Sequence, residues 1–163
     1  SLIPMDEDHG DDFPDAAGAE PPPGFHLLDK RSPFGILVGP VFQRDDEDGS
    51  LFGFRVQPKH HNLGGVAHGG MLATFADIVL GQFPAREYGR ITVTIRLVMD
   101  YLAPAKSGDW VVGRPHVTRT TRNLIFAETT LIAGPRSLLT ASAVFKTLER
   151  RRDPTANDQQ GET

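Results

Sequence analysis

Apolar and polar positions along this chain change period twice. Phe34 to Phe42 (FGILVGPVF) is a nearly continuous apolar run with β-branched members, which predicts a strand. Leu51 to Pro58 predicts a second strand. The acidic stretch Gln43 to Ser50, with Asp48-Gly49, supplies the turn that makes the two a hairpin. The period becomes helical from His68 to about Pro84, where Met71, Phe75, Ile78, Val79 and Gln82 share the spacing. The other side of that helix, Gly70, Ala73, Thr74, Asp77 and Gly81, is narrow and smooth. Such a face suits close approach by a strand, a ligand or another subunit. Strand periodicity returns at Ile91 to Tyr101, with Ile91, Val93, Ile95, Leu97 and Met99 alternating as in a half-buried strand. Two segments follow, Asp109 to Thr121 and Leu124 to Leu148, with a turn at Arg122-Asn123 between them. Gly134-Pro135 divides the last into Ile125 to Ala133 and Leu138 to Thr147. The predicted order is β-β-α-β-β-β-β, an α+β chain without internal repeats. One helix covers one face of such a sheet. The other face meets solvent, ligand or a second subunit, so a homo-oligomer is expected.

The two ends break the pattern. Residues 1 to 23 are acidic and proline-rich, closing on Pro21-Pro22-Pro23, and residues 150 to 163 run from Arg150-Arg151-Arg152 into Asp, Asn, Gln and Gly. Neither end has the apolar content to order itself, so disordered tails are expected around a folded domain at 24 to 149. A formal net charge of −4 offers no basic excess for nucleic acid. The absence of cysteine excludes a disulfide framework, a thiolate zinc site and a cysteine nucleophile. No apolar run approaches the ~18 residues of a membrane span. The N-terminal residues lack the basic-then-apolar order of a secretory signal, so a cytoplasmic protein without a membrane partner is expected.

Chemistry concentrates in residues 58 to 81, which place Asn62, His68, Gly69-Gly70 and Asp77 around the start of the predicted helix. The first turn of a helix has N–H groups without intrahelical partners, and its dipole favours negative charge. A carboxylate among apolar residues, as at Asp77, is costly unless it has a task or a partner. Together they read as an oxyanion pocket beside an acid/base group. Each also has a plainer reading. Gly69-Gly70 would permit a tight turn into the helix, Asp77 would be a structural carboxylate bonded to a neighbouring strand or to Thr94, Asn62 would shape the turn and His68 would cap the loop. His60 and His61 are adjacent in the chain, and on a strand they would point to opposite faces, so no metal site is expected.

The spacing Asn62, Gly65, His68, Gly69, Gly70 and Asp77, with the later run Tyr101-Leu-Ala-Pro-Ala-Lys-Ser-Gly108, resembles the hotdog-fold acyl-CoA thioesterases of the phenylacetate-pathway type. The resemblance covers about residues 33 to 148. It implies a long central helix wrapped by an antiparallel sheet of about five to six strands. That sheet would continue across a dimer, often within a tetramer, with sites at the dimer interface. Gly69 would donate its N–H to the thioester oxygen and Asn62 would orient the loop or polarise the carbonyl. Asp77, from the opposite subunit, would act as general base or nucleophile. Thr94 falls where some members hold a Ser or Thr facing the carboxylate. His68 would bond the substrate or leaving thiol, or cap the loop. Gly70 and the cations Lys106, Arg119 and Arg122 are candidates for holding coenzyme A, which enters as part of the substrate and not as a cofactor. Phe75, Leu80, Phe83 and a loop at Phe83 to Arg90 would shape the acyl pocket. The alternatives are a hotdog dehydratase or hydratase, and a protein that binds an acyl thioester without turning it over.

Overall fold

The computed structural model describes residues 18–89 and 91–148. Most of both expected tails lies outside the described residues. The elements are β1 (His26–Leu27), α1 (Pro33–Val38), β2 (Phe42–Asp46), β3 (Gly49–Arg55), α2 (Gly69–Tyr88), β4 (Ile91–Tyr101), β5 (Trp110–Gly113), β6 (His116–Thr120), β7 (Leu124–Ala133) and β8 (Arg136–Leu148). All strand pairs are antiparallel, in the order β1-β2-β3-β5-β7-β8-β4, with β6 also paired to β7. α2 packs against β4, β7 and β8. Phe75 and Leu80 of the helix meet Phe52, Phe54, Ile125, Leu131 and Phe145 of the sheet in one fully buried core.

The sheet has eight strands where five to six were expected. Two-residue β1 is new, and the single strand expected at Asp109 to Thr121 divides at Arg114-Pro115 into β5 and β6. Proline cannot donate to a ladder, which accounts for the break. The strand expected at Phe34 to Phe42 is a helix for most of its length. Ser32 caps α1 by accepting the Gly35 N–H at 3.0 Å, and Pro33 opens the helix where its missing N–H costs nothing. The hairpin therefore starts only at Phe42 and turns at Glu47-Asp48. The main helix outlasts its expected end. It runs through Pro84 to Tyr88 and stops at Gly89, whose φ of 58° is left-handed, so the loop expected at Phe83 to Arg90 is mostly helix.

The difference that matters most for function lies in β4. Thr94 pairs with Phe145 and Arg96 with Val144, so Ile95 is an extra residue at a β-bulge. Strict alternation would put Ile91, Val93, Ile95, Leu97 and Met99 on one face. The bulge reverses the parity, so Leu97 and Met99 pack on the core while Ile91, Val93 and Ile95 are exposed. Thr94, Leu97, Met99 and Tyr101 now oppose the inward residues Phe145, Ala143, Ala141 and Leu139 of β8, on the side that carries α2.

The start of the described chain belongs to this body. Ala19 is buried, and Arg55 donates to the Glu20 carbonyl while lying over the Trp110 ring. Trp110 opens β5 and lies against Gly53, where any side chain would overlap the indole.

Candidate active site

The segment between β3 and α2 is held by its own polar groups. Asn62 opens a turn in which its carbonyl accepts the Gly65 N–H at 3.1 Å and its side-chain Oδ1 accepts the Gly64 N–H at 2.8 Å. Asn at the first position and Gly at the fourth is the composition such a turn favours. Its amide oxygen is thus committed to the loop, and the amide nitrogen is the part of Asn62 left to meet a ligand. Backbone bonds from Ala67 N to Ala105 O (2.8 Å) and a bridge between Val66 and Lys106 tie the loop to the Pro104-Ala105-Lys106 turn.

His68 is the N-cap of α2. Its Nδ1 accepts the Gly70 N–H at 2.8 Å, and its carbonyl accepts from Met71 and Leu72. Among the described residues that leaves Gly69, the first helical position, with an N–H that has no acceptor. The side chain of His68 thus takes the capping place, and it frees Gly69 rather than Gly70 as the donor for a ligand anion. Tyr101, which the sequence marks only as the end of a strand and the start of the Tyr101-to-Gly108 run, donates its hydroxyl to the Gly69 carbonyl at 2.8 Å. Its ring lies 3.3 Å from where a Cβ on residue 69 would sit. The bulge in β4 carries Tyr101 to this position, and nothing in the residue pattern announces that bulge.

Two turns along α2, Asp77 lies half-buried on the smooth face and accepts a hydrogen bond from Thr94 Oγ1 at 2.9 Å. The pair is brought together by the helix and the inward face of β4 ahead of the bulge. With Oδ1 engaged, Oδ2 remains for a proton or an electrophile. In any turnover at this site, a Thr94→Ala variant is expected to lose about 1 kcal/mol of positioning, roughly a fivefold to tenfold fall in kcat at unchanged melting temperature. Steady-state kinetics beside a thermal melt check this, and a wild-type kcat would remove Thr94 from the site.

The remaining candidates are not all at one place. Lys106 adjoins the Asn62 loop through its bridge to Val66. Arg119 pairs with Phe126 on the face of the sheet away from α2, and Arg122 lies in the β6–β7 turn, its carbonyl accepting from Thr147. A single chain therefore brings Asn62, His68, Gly69, Gly70, Tyr101 and Lys106 to one end of α2 and Asp77 with Thr94 to its middle, and it leaves Arg119 apart. A cavity of ≈ 390 Å³ opens on the opposite face of the sheet, among Asp100, His116, Glu128, Thr130 and Ser142, and not at Gly69 or Asp77. Both ring nitrogens of His60 are occupied by protein partners. No three His, Asp or Glu side chains among the described residues gather as a metal site requires.

A family model described as the thioesterase superfamily matches residues 64–140. A Pseudomonas aeruginosa protein whose name proposes an esterase is 39% identical over 127 residues, covering 76% of this chain and 95% of that protein. Acyl-coenzyme A thioesterase 13 of mouse is 31% identical over 78 residues, covering 47% of this chain and 56% of the mouse protein. Among solved structures, thioesterase superfamily member 2 of zebrafish aligns with a TM-score of 0.61 and 26% identity, covering 67% of this chain and 81% of that one.

Proposed function

The chain belongs to the thioesterase superfamily and has its hotdog fold, and from that premise we propose that it hydrolyses an acyl-CoA to a carboxylic acid and free coenzyme A. The observation that carries this reading is the Asp77–Thr94 pair, a carboxylate with one oxygen held at 2.9 Å and the other available, facing out from the smooth side of α2. The unpaired N–H of Gly69 complements it. A thioester oxygen on that N–H gains negative charge as the carbonyl carbon is attacked, and the helix N-terminus stabilises that charge.

In the hydrolytic step Asp77 takes a proton from water as the water oxygen bonds to the carbonyl carbon. The tetrahedral intermediate then collapses, breaking the C–S bond and releasing thiolate, which takes up a proton. With Asp77 as nucleophile, its oxygen forms an anhydride with the acyl group as thiolate departs, and water cleaves the anhydride. Neither route requires a resident cofactor. The names of the mouse relative and of the superfamily support a coenzyme A thioester as the substrate class, and the cytoplasm is the compartment that suits it. No helix among the described residues is long and apolar enough to cross a membrane. A dehydratase or a silent binder makes less use of an available carboxylate paired with a helix-end donor.

Thiol release from short, long and aryl acyl-CoAs tests the reading. Release by the wild-type chain supports it, whereas tight binding without release would favour the silent binder. The donor has its own test. Proline is tolerated at the first position of a helix, and His68, with φ −60° and ψ 138°, already has the backbone that precedes proline. Gly69→Pro is therefore expected to fold and to lose about a hundredfold in kcat with its N–H. Gly69→Ala controls for the contact with Tyr101 while keeping the N–H. Equal rates for the proline and alanine variants would remove this N–H from the mechanism.

A further inference from the structure

The sequence-derived site makes no use of His60, yet the residue is 5% exposed and its ring holds two backbone groups from different parts of the chain. Nε2 lies 2.8 Å from the carbonyl oxygen of Val38, at the end of α1. Nδ1 lies 3.0 Å from the N–H of Gln57. A carbonyl can only accept and an amide N–H can only donate, so these partners allow one form of the ring, neutral with its hydrogen on Nε2. The ring stands edge-on to Phe54, centroids 5.4 Å apart, and Phe54 in turn packs on Phe75 of α2 at 4.7 Å. The main chain of the same residue continues toward the donor, since the His60 carbonyl accepts the His68 N–H at 2.7 Å and Gly69 follows directly.

We propose that His60 is the positioning residue of the oxyanion donor, its neutral ring clamping α1 to the loop so that its own carbonyl fixes His68 and thereby aims the Gly69 N–H. This rests on the hydrolase reading for its catalytic consequence, but the clamp itself is a statement about geometry. A protonated ring would present an Nδ1–H to the Gln57 N–H and lose that bond. Burial, aided by the nearby charge of Lys59 and by His61 and opposed by the bond to Val38, holds the ring below the ordinary histidine value. α1 carries no ionisable side chain, and the ring faces Phe54 of β3, which packs in turn on Phe75 of α2. The clamp is fully present above the unfolded value of about 6.5 and is lost as pH falls through the lower folded value.

The test combines kinetics with nitrogen NMR of the full-length wild-type chain. His60 ring signals should report the Nε2–H form, and the Gly69 amide resonance should shift with the midpoint of His60 protonation. His60→Leu at pH 8 should lower kcat at least about tenfold with KM within about twofold, as expected for a displaced donor. His60→Gln, which can still donate to Val38, should recover part of the loss. An Nδ1–H ring, a Gly69 resonance that follows only the midpoint of His68, or a wild-type kcat in His60→Leu would each overturn the proposal. Should His60→Leu not fold, the wild-type spectra decide alone. Should the wild type release no thiol from any acyl-CoA, the hydrolase reading fails, and the ring form with the Gly69 midpoint still decides whether the clamp exists.

Discussion

Asp77→Ala is expected to lower thiol release at least about a thousandfold while leaving the melting temperature within a few degrees, since general-base or nucleophilic roles carry losses of that order. The small stability change follows from its surroundings. Asp77 is half-buried, and its hydrogen-bond partner is the hydroxyl of Thr94, itself exposed and able to bond water instead. Asp77→Asn is the sharper variant, because the amide oxygen can keep the Thr94 bond while neither abstracting a proton nor attacking carbon. Equal losses in the two variants would assign the effect to the missing carboxylate and not to a collapsed contact. Hydrolysis by Asp77→Asn at the wild-type rate would sink the mechanism. The measurement is kcat/KM for the best acyl-CoA of the panel, with melting curves on the same preparations.

How much of this could be read from the residues differs from element to element. The Asn62-to-Asp77 spacing and the strand Ile91–Tyr101 are local patterns, and the structure keeps both. The pairing of Thr94 with Asp77, inferred from resemblance, is observed as a hydrogen bond. The short helix α1 is a different case. Its apolar run fits either a buried strand or a helix, and the deciding signal was Ser32-Pro33 in front of it. Pro84 suggested an end to α2 that Gly89 in fact supplies. The bulge at Ile95 has no sequence signature, since each of its neighbours is an ordinary strand former, yet it decides which side of β4 meets the helix. Tyr101 at Gly69 and the two-way hold on His60 are consequences of such tertiary choices, and for that reason a reading by period and spacing passes over them.

Mixing two inactive subunits should restore activity. Gly69 and Asp77 are eight residues apart on one helix, about 12 Å along its axis. A carbonyl and a water between donor and base span about 8 Å, short of that axial separation, so donor and base are expected from two chains. A second copy can supply the missing half, and β4 is where it would join. β4 pairs only with β8 among the described strands, and its 11 residues expose Ile91 (54%), Val93 (43%) and Ile95 (55%). A long apolar edge of this kind recruits another strand unless one already covers it. In a mixed dimer of Gly69→Pro with Asp77→Ala, one site combines an intact Gly69 with an intact Asp77 and the other lacks both. Random pairing makes half of the dimers mixed, each with one working site, so coexpressed subunits should reach about a quarter of wild-type activity against almost none for either variant alone. If donor and carboxylate serve one thioester within a single chain, every mixed dimer holds two broken sites and the activity stays at the level of the separate variants.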